Sequence, residues 1–176
     1  ARPLPAPQAP GRGRLPDRLP DRLDVLLPVL ALCLALALRL ALLFDSSGLT
    51  MDSALYVRMA EWLRAGHHEA SPAHHGYPML VALASFAVPG RELPGRLLSL
   101  AASLILVLCV WHVARRRATP WRAFAPALVV ALHPLLAVYG VAIMTEATFL
   151  ALAFGGAALL DGGHWRSGGA LLGAAW

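Results

Sequence analysis

The sequence predicts an all-α protein: a polytopic transmembrane helical bundle whose external loop carries an amphipathic juxtamembrane helix. Three observations lead there. The 176 residues are 58% hydrophobic and 14% charged, with a mean hydropathy of +0.61. That is more apolar surface than one soluble core of this size can bury. Several apolar runs approach the roughly 20 residues needed to cross about 30 Å of hydrocarbon. Finally, the arginines are distributed unevenly between the loops that join those runs.

All fifteen basic residues are arginine, and none is lysine. The net charge of +5 and pI near 10.2 would suggest nucleic acid in a soluble chain. Here the arginines flank apolar runs, which fits lipid headgroups and topology and gives no nucleic-acid partner. Cys33 and Cys109 lie inside apolar runs without metal-ligand or disulfide spacing, so both read as small buried hydrophobes.

Residues 1–23 are rich in Pro and Arg without a hydrophobic period and read as a disordered cytoplasmic tail. Residues 24–176 form the membrane domain, with a first span at about 25–44, broken only by Pro28 and Arg39. Its length and the absence of a small-residue cleavage site after Phe44 read as a retained signal anchor. Arg39 is costly at that depth and is expected to reach an internal acidic partner or the external interface.

An external loop follows over 45–94. Within it Leu55, Met59, Trp62 and Leu63 recur at helical spacing, with Arg58, Glu61 and Arg64 elsewhere on the wheel. This pattern predicts a short helix on the membrane surface. Tyr77 to Val88 is apolar but too short to span, so it reads as interfacial or re-entrant. Further spans fall at about 95–114, 121–139 and 146–161, and another starts at 168–176. Beginning at Ala1 without methionine and ending inside an apolar run, the sequence reads as the N-terminal piece of a longer protein.

Arginine placement orients the chain. With the tail cytoplasmic and 77–88 not crossing, ten arginines lie inside and four outside (Arg58, Arg64, Arg91, Arg96). Were 77–88 to cross, Arg115 to Arg117 would sit outside, against the positive-inside rule. The loop at 45–96 and the turn from Tyr139 to Glu146 are therefore external.

Two external carboxylates stand out. Asp52 opens the amphipathic helix with Tyr56 one turn later on the same face. It suits either an N-cap or a general base for a substrate arriving from outside. Glu146 sits at the outer edge of an apolar run, where it serves either the start of a helix or a site. His67, His68, His74 and His75 form two pairs without metal-binding spacing and read chiefly as solvated loop residues. Arg96 suits either a phosphate donor or an interfacial anchor.

The segments MDSALYVRMAEWLRAG, HHGYPMLVALASF, PGRLLSLAASLILVL and ALHPLLAVYGVAIMTEATFLAL, in this order and spacing, resemble the polyprenyl-phosphate-dependent glycosyltransferases of the C superfold. The protein O-mannosyltransferase and aminoarabinose transferase group is the most similar. The resemblance implies an integral protein of the bacterial plasma membrane that moves a sugar, with inversion, from a polyprenyl-phosphate donor to a glycan, lipid or protein acceptor on the external face. It assigns catalytic roles to Asp52 and Glu146, with Asp52 as general base, and substrate contacts to Tyr56, His75, Tyr77 and Arg96. An arginine or a divalent magnesium or manganese ion would balance the leaving phosphate. Many relatives carry adjacent carboxylates in the first loop, whereas Asp52 is flanked by Met51 and Ser53, which weakens a metal role there. Relatives place donor contacts in later regions, so this piece alone is expected to be inactive. A transporter or flippase, or a non-catalytic membrane subunit, is the alternative from the spans alone.

Overall fold

A computed structural model describes residues 22–45, 50–67 and 74–175 of the chain. Eight helices and no strand occur among the described residues: α1 (Arg22–Asp45), α2 (Met51–Arg64), α3 (Gly76–Ala84), α4 (Leu93–Arg115), α5 (Pro120–Leu132), α6 (Pro134–Tyr139), α7 (Thr145–Asp161) and α8 (Trp165–Ala175). Of the tail expected at 1–23, residues 1–21 lie outside the described residues, and Arg22 and Leu23 belong to α1. Leu and Ala favour helix there, and the Asp24 carboxylate sits in the first turn, where it meets the positive end of the helix dipole.

Helix α4 is the centre, packed against α1, α3, α5, α6 and α7. Small residues decide how closely its neighbours approach. Ala31 and Ala35 of α1 and Ala123, Ala127 and Ala131 of α5 are fully buried at four-residue spacing, in one cluster with Val107 and Trp111 of α4. Such alanine stripes let helix backbones come together without large side chains between them. On the other flank, Ala102, Leu106 and Val110 of α4 pack on Ala147 and Ala151 of α7. Helices α7 and α8 meet at Gly156 and Gly168, where a Cβ on either would lie 2.9 Å from the other's carbonyl oxygen.

Helices α1 and α4 are long and apolar enough to cross a membrane, with mean hydropathies of 2.6 and 2.3 over their apolar windows. Only 28% and 44% of those windows is buried inside the fold, so most of their apolar surface faces outward. The predicted span at 121–139 is divided. Pro134 has no amide hydrogen to continue the helix, His133 turns extended, and α5 gives way to α6.

Arg39 is fully buried beside this break. Its Nε donates to Ser103 Oγ (2.8 Å), and Nη1 donates to the carbonyls of Ala131 (2.8 Å) and Ala35 (3.2 Å). The expected acidic partner or external interface is thus replaced by a hydroxyl and two backbone carbonyls. The physical reason is the break itself, which leaves the Ala131 carbonyl beside the guanidinium instead of under a continuing helical turn. The expectation for the cysteines is also corrected: Cys33 is exposed and Cys109 half-buried, because α1 turns Leu27, Ala31 and Ala35 inward, and α4 turns Leu106, Val107, Val110 and Trp111 inward, not these positions.

Ion pairs mark one end of the bundle. Arg115 forms a two-pronged pair with Asp24, joining the end of α4 to the start of α1. Arg117 and Arg116 reach Asp161 at 2.6 and 3.7 Å, joining the end of α4 to the end of α7. At the opposite end α2 and α3 pack together through Val57, Ala60, Tyr77, Val81 and Ala82. The expected loop at 45–94 is therefore largely helical. The face of α2 that packs in the fold runs through Ser53, Val57, Met59 and Ala60. Of the four residues expected to face the membrane surface, Met59 is buried. Leu55, Trp62 and Leu63 are half-buried at the margins of the packed face, because α3 covers the Val57 and Ala60 side.

Candidate functional site

The site is built where α2, α3 and the first turns of α7 converge. Tyr77 fixes α3: its hydroxyl lies 2.9 Å from Ser99 Oγ and donates to the Gly95 carbonyl at 3.3 Å. Gly95 is needed at that point, since a Cβ there would come within 2.7 Å of Ile143 Cγ2. The Gly95 and Ile143 contact holds the turn leading into Met144, Thr145 and Glu146. Tyr56 meets Tyr77 edge to face, with ring centroids 5.4 Å apart, a preferred aromatic geometry. Burial raises Tyr77's pKa to about 12, and the nearby Tyr56 and Glu146 push it the same way. Hydrogen bonds from Ser99 and the Met144 backbone oppose the rise.

These elements enclose a cleft of about 750 Å³, within the range of small-molecule sites. Tyr56, His74, Tyr77, Thr145, Glu146 and Thr148 line its polar side, and Leu80, Phe149 and Leu152 its apolar wall, closed by Ala174 and Ala175. Two side-chain atoms in this lining, Glu146 Oε2 and Thr148 Oγ1, are buried without a hydrogen-bond partner among the described residues. Buried polar atoms normally find partners, and both of these belong to residues that line the cleft, with the atoms themselves closed off from it. The cleft lies at the Thr145 end of α7, about 24 Å along the helix from the Asp161 ion pairs.

Of the sequence-predicted residues, the structure brings together Tyr56, Tyr77 and Glu146. Asp52 is exposed in the first turn of α2, four positions before Tyr56 and outside the cleft lining. Its N-cap reading is corrected: Thr50 is the N-cap, its Oγ1 accepting from the Ser53 amide at 3.1 Å. His75 is exposed and precedes α3 without a side-chain cap bond. The imidazole that lines the cleft belongs to His74. His67 is also exposed, and His68 lies outside the described residues. Arg96 is partly buried in the first turn of α4, donates to Glu92 at 3.3 Å and does not line the cleft. Sequence reasoning missed Thr145, Thr148, Phe149 and Leu152. Their positions, separated by three, four and seven, place them on one face of α7 and are the signal that marks them.

Among the described residues no group of three or more His, Cys, Asp or Glu side chains could hold a metal ion. Among the described residues the cleft offers one carboxylate and one imidazole, whereas magnesium takes an octahedral, oxygen-rich shell. These residues do not fit a magnesium or manganese site. A second, smaller cavity of about 290 Å³ lies between α2 and α3. Glu61 closes it by accepting two bonds from Arg91, at 2.6 and 2.9 Å, which raises the Arg91 pKa.

The fold and cleft define an all-helical chain with two helices of membrane-crossing length and a half-polar cleft at one end. No protein-family model, curated protein or solved structure matches the chain.

Proposed function

We propose that this chain is a polytopic membrane protein carrying a glycosyltransferase site. In this reading α1, α4, the α5 and α6 pair, and α7 cross the bilayer, the arginine end is cytoplasmic, and the cleft opens on the external side. A sugar passes from a polyprenyl-phosphate donor to an acceptor hydroxyl. A carboxylate takes the hydroxyl proton, the acceptor oxygen bonds to the anomeric carbon, and the bond from that carbon to the phosphate oxygen breaks, releasing polyprenyl phosphate. The observation that carries the reading is Glu146, a half-buried carboxylate that lines the cleft with Tyr56 and Tyr77. It favours Glu146 as the general base. Asp52, exposed on α2, is the second candidate.

The test is transfer of label from polyprenyl-phosphate mannose, glucose or arabinose in membranes containing the full chain. Loss of a positioned base lowers a rate by about 100-fold or more, so Glu146→Gln is expected to do so. Full transfer by both Glu146→Gln and Asp52→Asn would end the two-carboxylate reading, and absence of transfer from every donor in the wild type would end the transferase reading.

A transporter or flippase is favoured by one observation, the buried Arg39 beside the broken α5 and α6 pair. Transporters place such features near the bilayer midplane. Arg39 instead lies six residues from the end of α1, about 9 Å along the helix axis, and its Nε and Nη1 are already bonded. The glycosyltransferase reading is therefore preferred.

A further inference from the structure

The cleft lining specifies what kind of acceptor it takes. Along α7, Thr145, Glu146 and Thr148 give way to Phe149 and Leu152. One helix face thus changes from polar to apolar over about two turns, roughly 10 Å. Leu80 of α3 continues the apolar side and is 39% exposed, as Phe149 is 46% exposed, so this wall is open to an incoming hydrocarbon. The polar side is lined by Glu146 and Thr148, each with one side-chain oxygen, Oε2 and Oγ1, buried and without a partner among the described residues, and Thr148 is 9% exposed. No arginine among the described residues lines the cleft: Arg64 and Arg91 line the smaller cavity instead, and Arg96 donates to Glu92. A carboxylate without a neighbouring guanidinium disfavours a phosphate and favours a hydroxyl donor.

We infer that this cleft binds a neutral amphiphile, with a hydroxyl-bearing headgroup on Glu146 and Thr148 and an apolar tail along Leu80, Phe149 and Leu152. The inference rests on the proposed membrane placement and makes the cleft the acceptor subsite, with the donor phosphate held elsewhere. A hydroxyl of the headgroup donates to the Glu146 carboxylate, and the Thr148 hydroxyl, once its side chain turns toward the cleft, donates to or accepts from a second. Thr145, at the rim, adds a third hydroxyl for the same headgroup.

The test is equilibrium dialysis of radiolabelled octyl glucoside and octyl phosphate against the full chain in phosphatidylcholine nanodiscs, with empty nanodiscs subtracted. One charge-assisted hydrogen bond corresponds to about tenfold in affinity or more, so octyl glucoside is expected to be retained about tenfold over octyl phosphate. Glu146→Gln and Thr148→Val are each expected to weaken glucoside retention about fivefold, while Thr148→Ser restores the hydroxyl and the binding. Equal or greater retention of octyl phosphate, or glucoside retention indifferent to all three variants, overturns the inference. Dialysis reads binding without transfer. Glucoside retention in a chain that transfers no sugar would leave this inference standing and remove the transferase. Transfer without glucoside retention would do the reverse.

Discussion

Arg39 Nε donates to Ser103 Oγ at 2.8 Å, bridging α1 and α4 at the level where α5 breaks into α6. Ser103 passes the interaction on by donating to the Leu100 carbonyl at 2.9 Å. Gly140 makes room for the pair, since a Cβ there would lie 2.7 Å from Ser103 Oγ and 2.8 Å from Arg39 Nε. Arg39 Nη2 is buried without a partner among the described residues. Removing Ser103's hydroxyl would strand a second guanidinium nitrogen, so Ser103→Ala is expected to cost about 1–3 kcal/mol. Arg39→Met removes the charge together with its need for partners and is expected to cost less than Arg39→Ala, which also opens a cavity. Thermal unfolding of the three variants in detergent checks the order.

Two neighbouring glycines on α7 should respond oppositely to alanine. At Gly156 a Cβ would meet the Gly168 carbonyl at 2.9 Å and Leu172 Cγ at 2.8 Å, whereas at Gly155 the nearest atoms are at ordinary contact, 3.6 and 3.7 Å. Gly156→Ala is therefore expected to destabilise by about 1–3 kcal/mol through overpacking. Gly155→Ala should be neutral or stabilising by roughly 0.5–1 kcal/mol, because alanine loses less backbone entropy in a helix. Unfolding midpoints measured side by side decide it, and equal shifts would contradict the close α7 and α8 crossing.

Tyr77 ties stability to high pH. Its folded pKa of about 12 stands above the unfolded value of 10.0, so the folded state resists losing the phenolic proton. The stabilisation is whole below pH 10 and is lost as pH rises from 10 toward 12. Its full size is on the order of 2–3 kcal/mol. Tyr77→Phe cannot ionise and should remove this part of the alkaline loss, while giving up the bonds to Ser99 and Gly95. The measurement is the unfolding midpoint of both proteins between pH 8 and pH 12. Parallel curves would show that Tyr77 ionises as freely in the fold as in water.

The helices were legible because their cause is local. Apolar runs of Leu and Ala state a helix wherever the chain lies, whereas the break at Pro134 falls inside a run that reads as one span at 121–139. The partners of Arg39 were not legible, since Ser103 and the Ala131 carbonyl lie 64 and 92 positions away and nothing in either neighbourhood announces a guanidinium. The packed side of α2 was not legible for a related reason: Val57 and Ala60 meet α3, whose position no local pattern in α2 announces. The candidate cleft was half visible. Tyr56, Tyr77 and Glu146 stood out as polar groups among apolar ones, whereas Thr148 read as an ordinary span residue until α2 and α3 supplied the other side of the cleft.

The proposed topology separates the two ends of the bundle and can be read by chemical labelling. Met51, at the start of α2, is 92% exposed and lies on the cleft side. Arg117, just beyond α4, has a 66% exposed side chain and lies on the side of the Asp161 ion pairs. In a Cys33→Ala, Cys109→Ala background, Met51→Cys should react with a membrane-impermeant maleimide on intact cells or spheroplasts. Arg117→Cys should react only after the membrane is opened, because the positive-inside rule holds the Arg115, Arg116 and Arg117 run in the cytoplasm. Two further positions test the pairs in between. Trp121, 62% exposed at the start of α5, should follow Arg117 when replaced by Cys, and Leu135 in α6, 51% exposed, should resist labelling if it faces hydrocarbon. Labelling of Met51→Cys and Arg117→Cys from the same side would mean that α4 does not cross. The cleft and the arginine cluster would then share one compartment, and an external site facing a lipid-linked donor would have to be given up.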